Sequence, residues 1–242
     1  MAEKPQHFDP LDPAQAERRA EARRRLDEID PAKQPGAALK DPKRKDWFEA
    51  VYALSDGDAV KVPWGNLAAH PYLLDWLARN PALNGLTALD VGCGLGDNAA
   101  ALAEAGAKVT AFDFVPRAVE WAANRFRDKS IVFRAADLFA PPPEWLGAFD
   151  LVHETYTLQA LPAEILPAAR KALADLVKPG GRLLAIARAR DEAQEIEGPP
   201  WPLARSDIEA FAENGLVLES LEDIPAGVTP SRHWRAVLRK KL

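Results

Sequence analysis

The sequence predicts a doubly wound α/β fold, in which helices cover both faces of a mostly parallel sheet and an antiparallel hairpin ends the chain. Two observations support this class. After residue 85, short apolar runs alternate with helical segments, as expected for parallel strands joined by crossover helices. After the last helical segment, two β-like runs follow each other with no helix between them, which favours an antiparallel hairpin on the sheet edge.

Length and composition limit the organisation of the chain. The 242 residues can bury one sizeable core, so we expect an N-terminal helical or mobile extension over residues 1–45 and one catalytic domain over residues 46–242. The net charge of -5 disfavours nucleic acid as a partner. The sequence contains no apolar run of about 18 residues and no signal peptide at its start, so we expect a cytoplasmic protein without a membrane partner. We expect a monomer or homodimer.

Three helical segments are predicted ahead of the alternating region. Residues 13–29 interleave Glu and Arg at spacings that allow pairing on one helix. Asp46 is expected to cap a second helix, in which Trp47, Val51 and Leu54 recur on one face. Residues 71–79 form a third amphipathic segment that ends before Pro81.

The alternating region predicts five strands and their connecting helices. The expected strands are residues 87–91, 108–112, 131–133, 149–153 and 182–187, and the expected helices are residues 97–105, 116–126 and 162–176. A last helix over residues 206–214 stops at Gly215, and residues 216–221 and 233–238 form the hairpin. This order places the end of each parallel strand along one edge of the sheet.

A glycine-rich loop follows the first predicted strand, at the sheet edge where open α/β folds bind ligands. It reads Gly92-Cys93-Gly94-Leu95-Gly96-Asp97, and glycine allows a sharp turn and a close approach to a ligand. Acidic residues follow the second and third strands, at Asp113 and Asp137. A carboxylate at the first position can accept hydrogen bonds from two ribose hydroxyls, and one at the second can accept from an adenine amine. The pattern indicates an adenosine pocket.

In order and spacing, the motifs LDVGCGLGDNAAAL, VTAFDF, AADLF, FDLV and LVKPGGRLL resemble those of the class I S-adenosylmethionine-dependent methyltransferases. The resemblance implies a Rossmann-like fold and S-adenosylmethionine as cofactor, with S-adenosylhomocysteine as product. It implies cofactor contacts from these residues: Trp64, Asp90, Gly92, Gly94, Gly96, Asp113, Phe114, Asp137, Leu138 and His153. Asp90 has the alternative role of orienting loop amides. An NAD-dependent dehydrogenase is the competing interpretation, and Asp97 in place of the last glycine weakens it.

The segment after the fourth strand, residues 153–161, is expected to face the transferable methyl group. Its acid/base candidates are His153, Glu154 and Tyr156, because imidazole titrates near neutral pH and burial raises the pKa of a carboxyl group. His153 has the alternative of simply satisfying its ring nitrogens at the strand end. The segment lacks the Asn-Pro-Pro-Tyr or Asp-Pro-Pro-Tyr sequence of amide and exocyclic-amine N-methyltransferases, which disfavours amide and exocyclic-amine nitrogens as acceptors. No ligand spacing predicts a metal.

A second resemblance concerns the acceptor. The order of DWFEAVYAL, VPWGNLAAHPYLLDWL, HETYTLQAL, GPPWPLARSDIEAFAENGL and SRHWRAVLRK is similar to the thiopurine, thiol and halide methyltransferase family. It implies that Trp64 lies over the site and that Trp47 and Trp201 belong to a substrate lid. His153, Glu154 and Gln159 depart from that family's apolar acceptor segment.

The predicted function is methyl transfer from S-adenosylmethionine to a small molecule, with a thiol or another soft nucleophile as acceptor. A thiol ionises near neutral pH, so it needs little help from a base. Two alternatives stay open. One is an O- or N-methyltransferase that uses His153 or Glu154 as base, and the other is a cofactor-binding module without turnover.

Overall fold

The computed structural model describes residues 12–34, 40–196 and 198–242, and the predictions for residues 1–11 and 35–39 lie outside this part of the chain. In that part, one seven-stranded sheet has the order β3-β2-β1-β4-β5-β7-β6. The strands are β1 Thr87–Val91, β2 Lys108–Asp113, β3 Ile131–Ala135, β4 Phe149–Thr155, β5 Val177–Arg188, β6 Leu216–Ile224 and β7 His233–Lys240. Only the pairings of β7 with β5 and β6 are antiparallel, so the predicted parallel sheet with a C-terminal hairpin is confirmed.

Helices cover both faces of this sheet. The helices of the described ranges are α1 Pro13–Ile29, α2 Lys45–Ser55, α3 Pro71–Arg79, α4 Asp97–Glu104, α5 Pro116–Arg125, α6 Leu166–Leu176 and α7 Arg205–Glu209. Of these, α3 and α4 pack on one face of the sheet and α6 and α7 on the other. Side chains that alternate along a strand point to opposite faces, so Ala88 packs with α3 and α4 while Leu89 packs with α6 and α7. The core therefore has two apolar layers separated by the sheet.

Several element boundaries differ from the sequence predictions. β5 begins at Val177, five residues earlier than expected, because Val177 pairs with Phe149 ahead of a register shift in the ladder. The predicted helix over residues 162–176 divides into a 3-10 turn, Ala163–Ile165, and α6, which has Pro167 in its first turn. The last predicted helix likewise ends as a 3-10 turn, Ala210–Asn214.

The start of α2 corrects the expected role of Asp46. Arg44 precedes the helix with φ 51° and ψ 40°, a left-handed conformation, and Asp46 lies inside the first turn. The carboxylate of Asp41 accepts hydrogen bonds from the backbone amides of Lys43 at 2.9 Å and Lys45 at 2.8 Å. Asp41 therefore does the capping that the sequence analysis assigned to Asp46, because the chain turns before the helix and not at its first residue.

The strand order places a crevice between β1 and β4. The chain passes from β1 to β2 on one side of β1, and the later strand β4 lies on the other side. The strand order therefore reverses between β1 and β4, which is where open α/β sheets bind ligands. Helices α1 and α2 and the segment 58–67 pack together beside this edge. Within the described ranges, no helix has both the length and the apolar character needed to cross a membrane.

Candidate cofactor and acceptor site

The glycine loop after β1 has left-handed backbone conformations that side chains disfavour. Gly92 has φ 63° and Gly94 has φ 52°. A Cβ at Gly92 would lie 2.6 Å from Oγ1 of Thr157, and one at Gly94 would lie 3.3 Å from the Tyr52 hydroxyl. Gly96 begins α4 as its N-cap residue. The loop thus forms a narrow cradle of backbone at the crevice, as the sequence predicts for a bound ligand.

Asp113 ends β2 next to this cradle and is 7% exposed. Its carboxylate accepts hydrogen bonds from the Gly94 amide at 3.1 Å and from the Val115 amide at 3.0 Å. Burial raises the pKa of Asp113 to about 6. Each carboxylate oxygen keeps a further lone pair, so the group can still accept hydrogen bonds from the vicinal hydroxyls of a ribose.

The predicted adenine end lies in a cleft of about 210 Å³. Phe114, Asp137 and Lys43 line this cleft, and the Lys43 ammonium contacts Asp137 at 2.7 Å. Asp137 also accepts a hydrogen bond from the Phe139 amide at 2.9 Å. The Leu138 side chain is buried in the apolar core instead and is not among the residues that line the cleft.

Asp90 and His153 form a buried pair on the neighbouring strands β1 and β4. His153 is completely buried; its Nδ1 lies 2.7 Å from Asp90 Oδ1 and its Nε2 lies 2.9 Å from Thr155 Oγ1. Both ring nitrogens therefore have partners inside the protein. The structure thus matches the alternative in which the ring nitrogens of His153 are satisfied at the strand end. Neither nitrogen is directed at a methyl acceptor.

Glu154 is also completely buried, and it faces the backbone of the following loop. Its Oε2 accepts hydrogen bonds from the amides of Thr157 at 3.0 Å and Leu158 at 3.3 Å. Burial raises the pKa of Glu154 to about 8. Its Oε1, like Oδ2 of Asp90, is buried without a hydrogen-bond partner in the described part of the chain. Two buried carboxyl oxygens without partners are therefore available for hydrogen bonds to a ligand.

Aromatic side chains cluster beside Gly94. The Trp64 indole N–H donates to the Tyr52 hydroxyl at 3.0 Å, and these two groups lie against the loop. Trp47 and Trp64 lie 6.1 Å apart, and Phe48 lies 5.4 Å from Phe114 at the adenine end. We call Trp47, Phe48, Tyr52 and Trp64 the aromatic lid.

Arg44 joins the two tryptophans that the sequence analysis assigned to a substrate lid. Its guanidinium lies 4.7 Å from the ring of Trp47 and 5.2 Å from the ring of Trp201. It forms a buried ion pair with Asp30 at 2.7 Å and donates to the Ala160 carbonyl at 3.2 Å. Arg44 thus links helix α1, the aromatic lid and the loops that follow β4 and β5. Neither Arg44 nor Asp30 was identified from the sequence.

A third group of side chains surrounds Tyr156, the residue directly after β4. The Tyr156 hydroxyl lies 2.9 Å from Nε2 of His70 and 2.7 Å from Nε2 of His233. The site includes Arg188 at the end of β5, with its guanidinium 5.9 Å from the Tyr156 ring. His70, His233 and Arg188 were not predicted from the sequence. The available signal was that each stands at an element boundary: His70 just before Pro71, Arg188 at a strand end and His233 at a strand start.

The central part of the chain matches a known protein family. Residues 88–181 match the family described as "Methyltransferase domain". The chain is 39% identical over 121 residues to a ubiquinone biosynthesis O-methyltransferase of Xanthomonas campestris pv. campestris strain B100, covering 48% of each protein. It is 38% identical over 122 residues to a protein of the same name from Xylella fastidiosa strain M23, covering 48% of this chain and 47% of that protein. The chain thus matches about half the length of these curated relatives.

Solved structures resemble the chain in fold. The 1,6-didemethyltoxoflavin-N1-methyltransferase of Burkholderia thailandensis, crystallised with 1,6-didemethyltoxoflavin and S-adenosylhomocysteine, gives a TM-score of 0.65 at 18% identity, covering 85% of this chain and 93% of that one. The magnesium protoporphyrin IX methyltransferase of Synechocystis PCC 6803, crystallised with S-adenosylhomocysteine, gives 0.59 at 19% identity, covering 92% and 94%. At these identities the likeness establishes the fold.

Proposed function

We propose that this chain transfers a methyl group from S-adenosylmethionine to a small molecule. It has the fold of class I S-adenosylmethionine-dependent methyltransferases, and its residues 88–181 match a methyltransferase domain. The observation that carries the proposal is the arrangement at the crevice between β1 and β4. There the glycine cradle, the buried Asp113 and the cleft at Asp137 lie in the order that an extended adenosine-containing cofactor requires.

The residues present fit this cofactor. Asp113 would hold the ribose hydroxyls, the cleft between Phe114 and Asp137 would hold the adenine, and the loop at Gly92 and Gly94 would border the methionine portion. The unpartnered oxygens Oδ2 of Asp90 and Oε1 of Glu154 leave two buried hydrogen-bonding positions near that portion. When bound, S-adenosylmethionine supplies an electrophilic methyl group on a positively charged sulfur. The chain's own contribution is to bind the cofactor, to exclude water with the aromatic lid and to align the acceptor.

For the acceptor, we propose a small molecule whose oxygen or nitrogen gives up a proton as it is methylated. The sequence predicts His153 or Glu154 as the base for such an acceptor. In the structure, however, both side chains form hydrogen bonds to other groups of the protein. The hydroxyl of Tyr156 with its two histidine partners takes their place as the group that can receive a proton. The curated relatives named above are O-methyltransferases by name, which supports an oxygen acceptor.

A thiol or another soft nucleophile is the second candidate, and it is the acceptor that the sequence resemblance predicts. The aromatic lid supports it, because Trp47 and Trp64 enclose the crevice with apolar surface. In such an enclosure a thiolate can be aligned with the methyl group without a strong base. The thiopurine, thiol and halide resemblance rests on the sequence motifs alone.

One assay separates these candidates. The full chain is incubated with methyl-labelled S-adenosylmethionine and a matched panel of phenols, anilines and thiols of similar size, and labelled product and S-adenosylhomocysteine are measured together. We expect transfer to the phenols or anilines. Transfer to thiols alone would establish the second candidate. Binding of S-adenosylhomocysteine in calorimetry without transfer to any acceptor would favour the cofactor-binding module, and absence of binding would contradict the proposed function.

A further inference from the structure

Tyr156 is held between two histidines that come from distant parts of the chain. His70 is the N-cap residue of α3, and His233 is the first residue of β7, where it pairs with Arg188 of β5. The hydroxyl of Tyr156 lies within hydrogen-bond distance of Nε2 of both rings. Tyr156 itself has φ 69°, a left-handed conformation that is unfavourable for a residue with a side chain. Such a conformation, held in place by its surroundings, is characteristic of functional positions.

Neighbouring groups determine which nitrogen of each imidazole carries the proton. Nδ1 of His70 accepts a hydrogen bond from the Tyr72 amide at 3.3 Å, so the proton of His70 is on Nε2 and is donated to Tyr156. Nδ1 of His233 lies 2.7 Å from the Ser231 carbonyl, which can only accept, so its proton is on Nδ1. Nε2 of His233 is therefore free to accept the phenolic proton of Tyr156.

Both histidines are neutral at neutral pH. Burial lowers the pKa of His70 to about 3 and lowers the pKa of His233 below its ordinary value. The hydrogen bonds therefore run in one direction, from His70 to Tyr156 and from Tyr156 to His233. The phenolic oxygen has two lone pairs, and His70 occupies one of them. Burial raises the pKa of Tyr156 to about 12, and the Arg188 guanidinium, which lies near the other lone pair, acts to lower it. A ligand O–H or N–H that donates to this lone pair therefore competes with Arg188.

Tyr156 lies directly after the end of β4, beside the residues that lead into the glycine loop. Tyr156 is half-buried, whereas His233 behind it is completely buried. The next residue, Thr157, donates from its hydroxyl to the Val91 carbonyl at 3.0 Å, immediately before the glycine cradle. His70 is tied to the same region, because its amide donates to the Asn98 side chain at 2.8 Å at the start of α4. The three side chains thus lie at the crevice end of β1 and β4.

We propose that Tyr156 and His233 form a proton relay that takes the proton of an un-ionised O–H or N–H acceptor, such as a phenol or an aniline. This inference rests on the proposed function and names the acceptor class of the same site. His70 positions the phenolic oxygen, and the Arg188 guanidinium near the Tyr156 ring stabilises negative charge that develops on that oxygen.

The transfer balances without any further reactant. The acceptor oxygen or nitrogen forms the new bond to the methyl carbon, and the electron pair of the broken carbon–sulfur bond remains on sulfur. The acceptor proton moves to the Tyr156 oxygen as the phenolic proton of Tyr156 moves to Nε2 of His233. His233 is left as an imidazolium, which burial and the nearby Arg188 disfavour, so its proton returns through Tyr156 to water after the product leaves.

The test compares Tyr156→Phe with Tyr72→Phe, which removes a phenolic hydroxyl that bonds to Thr229, one step away from the relay. Each variant is assayed with two phenols of similar size, one already ionised at the assay pH and one with a pKa of about 10, like tyrosine. We expect Tyr156→Phe to lower kcat at least about a hundredfold on the un-ionised phenol and less than about tenfold on the ionised one. His233→Gln should show the same difference, and Tyr72→Phe should stay within about twofold on both.

If Tyr156→Phe lowered kcat equally on the two phenols, the relay would be overturned and Tyr156 would have only a structural role. Unchanged kcat on both phenols would also overturn the relay. S-adenosylhomocysteine affinity, measured by calorimetry, should be unaltered in Tyr156→Phe. Absence of S-adenosylhomocysteine binding to the unsubstituted chain would reject the proposed methyl transfer. Normal affinity with transfer only to thiols would leave methyl transfer in place and reject both this inference and the oxygen or nitrogen acceptor.

A second readout does not depend on turnover. The sequence contains four histidines, so nitrogen NMR of the imidazoles can be assigned by single substitutions. We expect His70 to carry its proton on Nε2 and His233 on Nδ1, both neutral at pH 7. The opposite tautomer at His233 would contradict the relay, because its Nε2 would then be a donor towards Tyr156.

Discussion

Asp90, Asp113 and Glu154 place three buried carboxyl groups around the loop that follows β1. Each has a different set of partners. Asp113 accepts from two backbone amides, Glu154 accepts from two others, and Asp90 is paired with His153. Because burial disfavours the charged form of a carboxyl group, the pKa values of Asp113 and Glu154 are raised. The chemistry of the site at this scale depends on which of these groups is ionised.

Substitution of Asp113 tests the ribose site. Asp113→Asn should weaken S-adenosylhomocysteine binding at least several-fold, because the charge-assisted hydrogen bonds to the ribose are lost. In the unsubstituted protein the affinity should fall as the pH drops through about 6, where the carboxyl group becomes protonated, and in Asp113→Asn it should be low and independent of pH over that range. Calorimetry from pH 5 to 8 measures the affinity for S-adenosylhomocysteine and its dependence on pH. Asp128→Ala, which removes an exposed carboxylate, serves as the control. Unaltered affinity in Asp113→Asn would refute the assignment.

Glu154 makes a prediction about stability. Its pKa is about 8 in the folded protein, above the ordinary value of 4.5, so its contribution to stability is fully present below pH 4.5 and is lost as the pH rises through 8. Glu154→Gln resembles the protonated carboxyl group and keeps an oxygen for the two amides. As the pH rises from 5 to 8.5, we expect the free energy of unfolding of the variant to increase relative to that of the unsubstituted protein, by at most roughly 1.4 kcal/mol for each pH unit. Urea unfolding curves with the same pH dependence for both proteins would contradict this.

At the scale of elements, α1 is attached to the site through specific contacts. Leu26 is buried under the aromatic lid, the Trp47 indole donates to the Leu26 carbonyl at 2.9 Å, and Asp30 pairs with Arg44. The sequence alone indicates that the residues before Asp46 are an extension that can be removed. These contacts lead to the opposite expectation: deletion of residues 1–31 should loosen the lid and weaken cofactor binding, as measured by calorimetry with S-adenosylhomocysteine. Unchanged affinity in the shortened chain would show that α1 is dispensable for the site.

A double-mutant cycle on the buried pair tests this role of α1. Asp30→Asn leaves the Arg44 charge buried without its partner and should destabilise the protein by about 3 to 5 kcal/mol. The double variant Asp30→Asn with Arg44→Met should recover part of that loss, since no unpaired charge remains. Arg18→Gln breaks an exposed pair that also joins α1 to the domain, and it should cost at most about 1 kcal/mol. Equal losses for the buried and the exposed pair would show that Arg44 does not anchor the lid.

The sequence could predict features that depend on residues close together in the chain, but not contacts between residues that are far apart in it. The strands β1 to β5 and the hairpin were identifiable because apolar runs and their spacing are local signals. The glycine loop and Asp113 were identifiable because they occupy fixed places after strands. The cluster at Tyr156 was not identifiable as a unit, since His70 and His233 are 163 positions apart and meet only when α3 and β7 pack. The burial of Arg44 was hidden for the same reason, because a charged residue before a helix is ordinarily exposed.

For the whole molecule, the sheet arranges every part of the site along one edge. The turn after β1 supplies the cradle, the end of β2 supplies Asp113, the end of β4 supplies Tyr156, and the antiparallel β7 brings His233 beside Arg188. The aromatic lid covers this edge from the side of α1 and α2. Cofactor and acceptor would thus meet between β1 and β4, with the lid excluding water from both.

A crystal structure of the chain with S-adenosylhomocysteine and an un-ionised phenol tests this arrangement most directly. We expect ribose hydroxyls within hydrogen-bond distance of Asp113, adenine in the cleft between Phe114 and Asp137, and the phenol oxygen between the cofactor sulfur and the Tyr156 hydroxyl. A ligand bound away from the crevice between β1 and β4, or a phenol oxygen that contacts neither the sulfur side nor Tyr156, would contradict it.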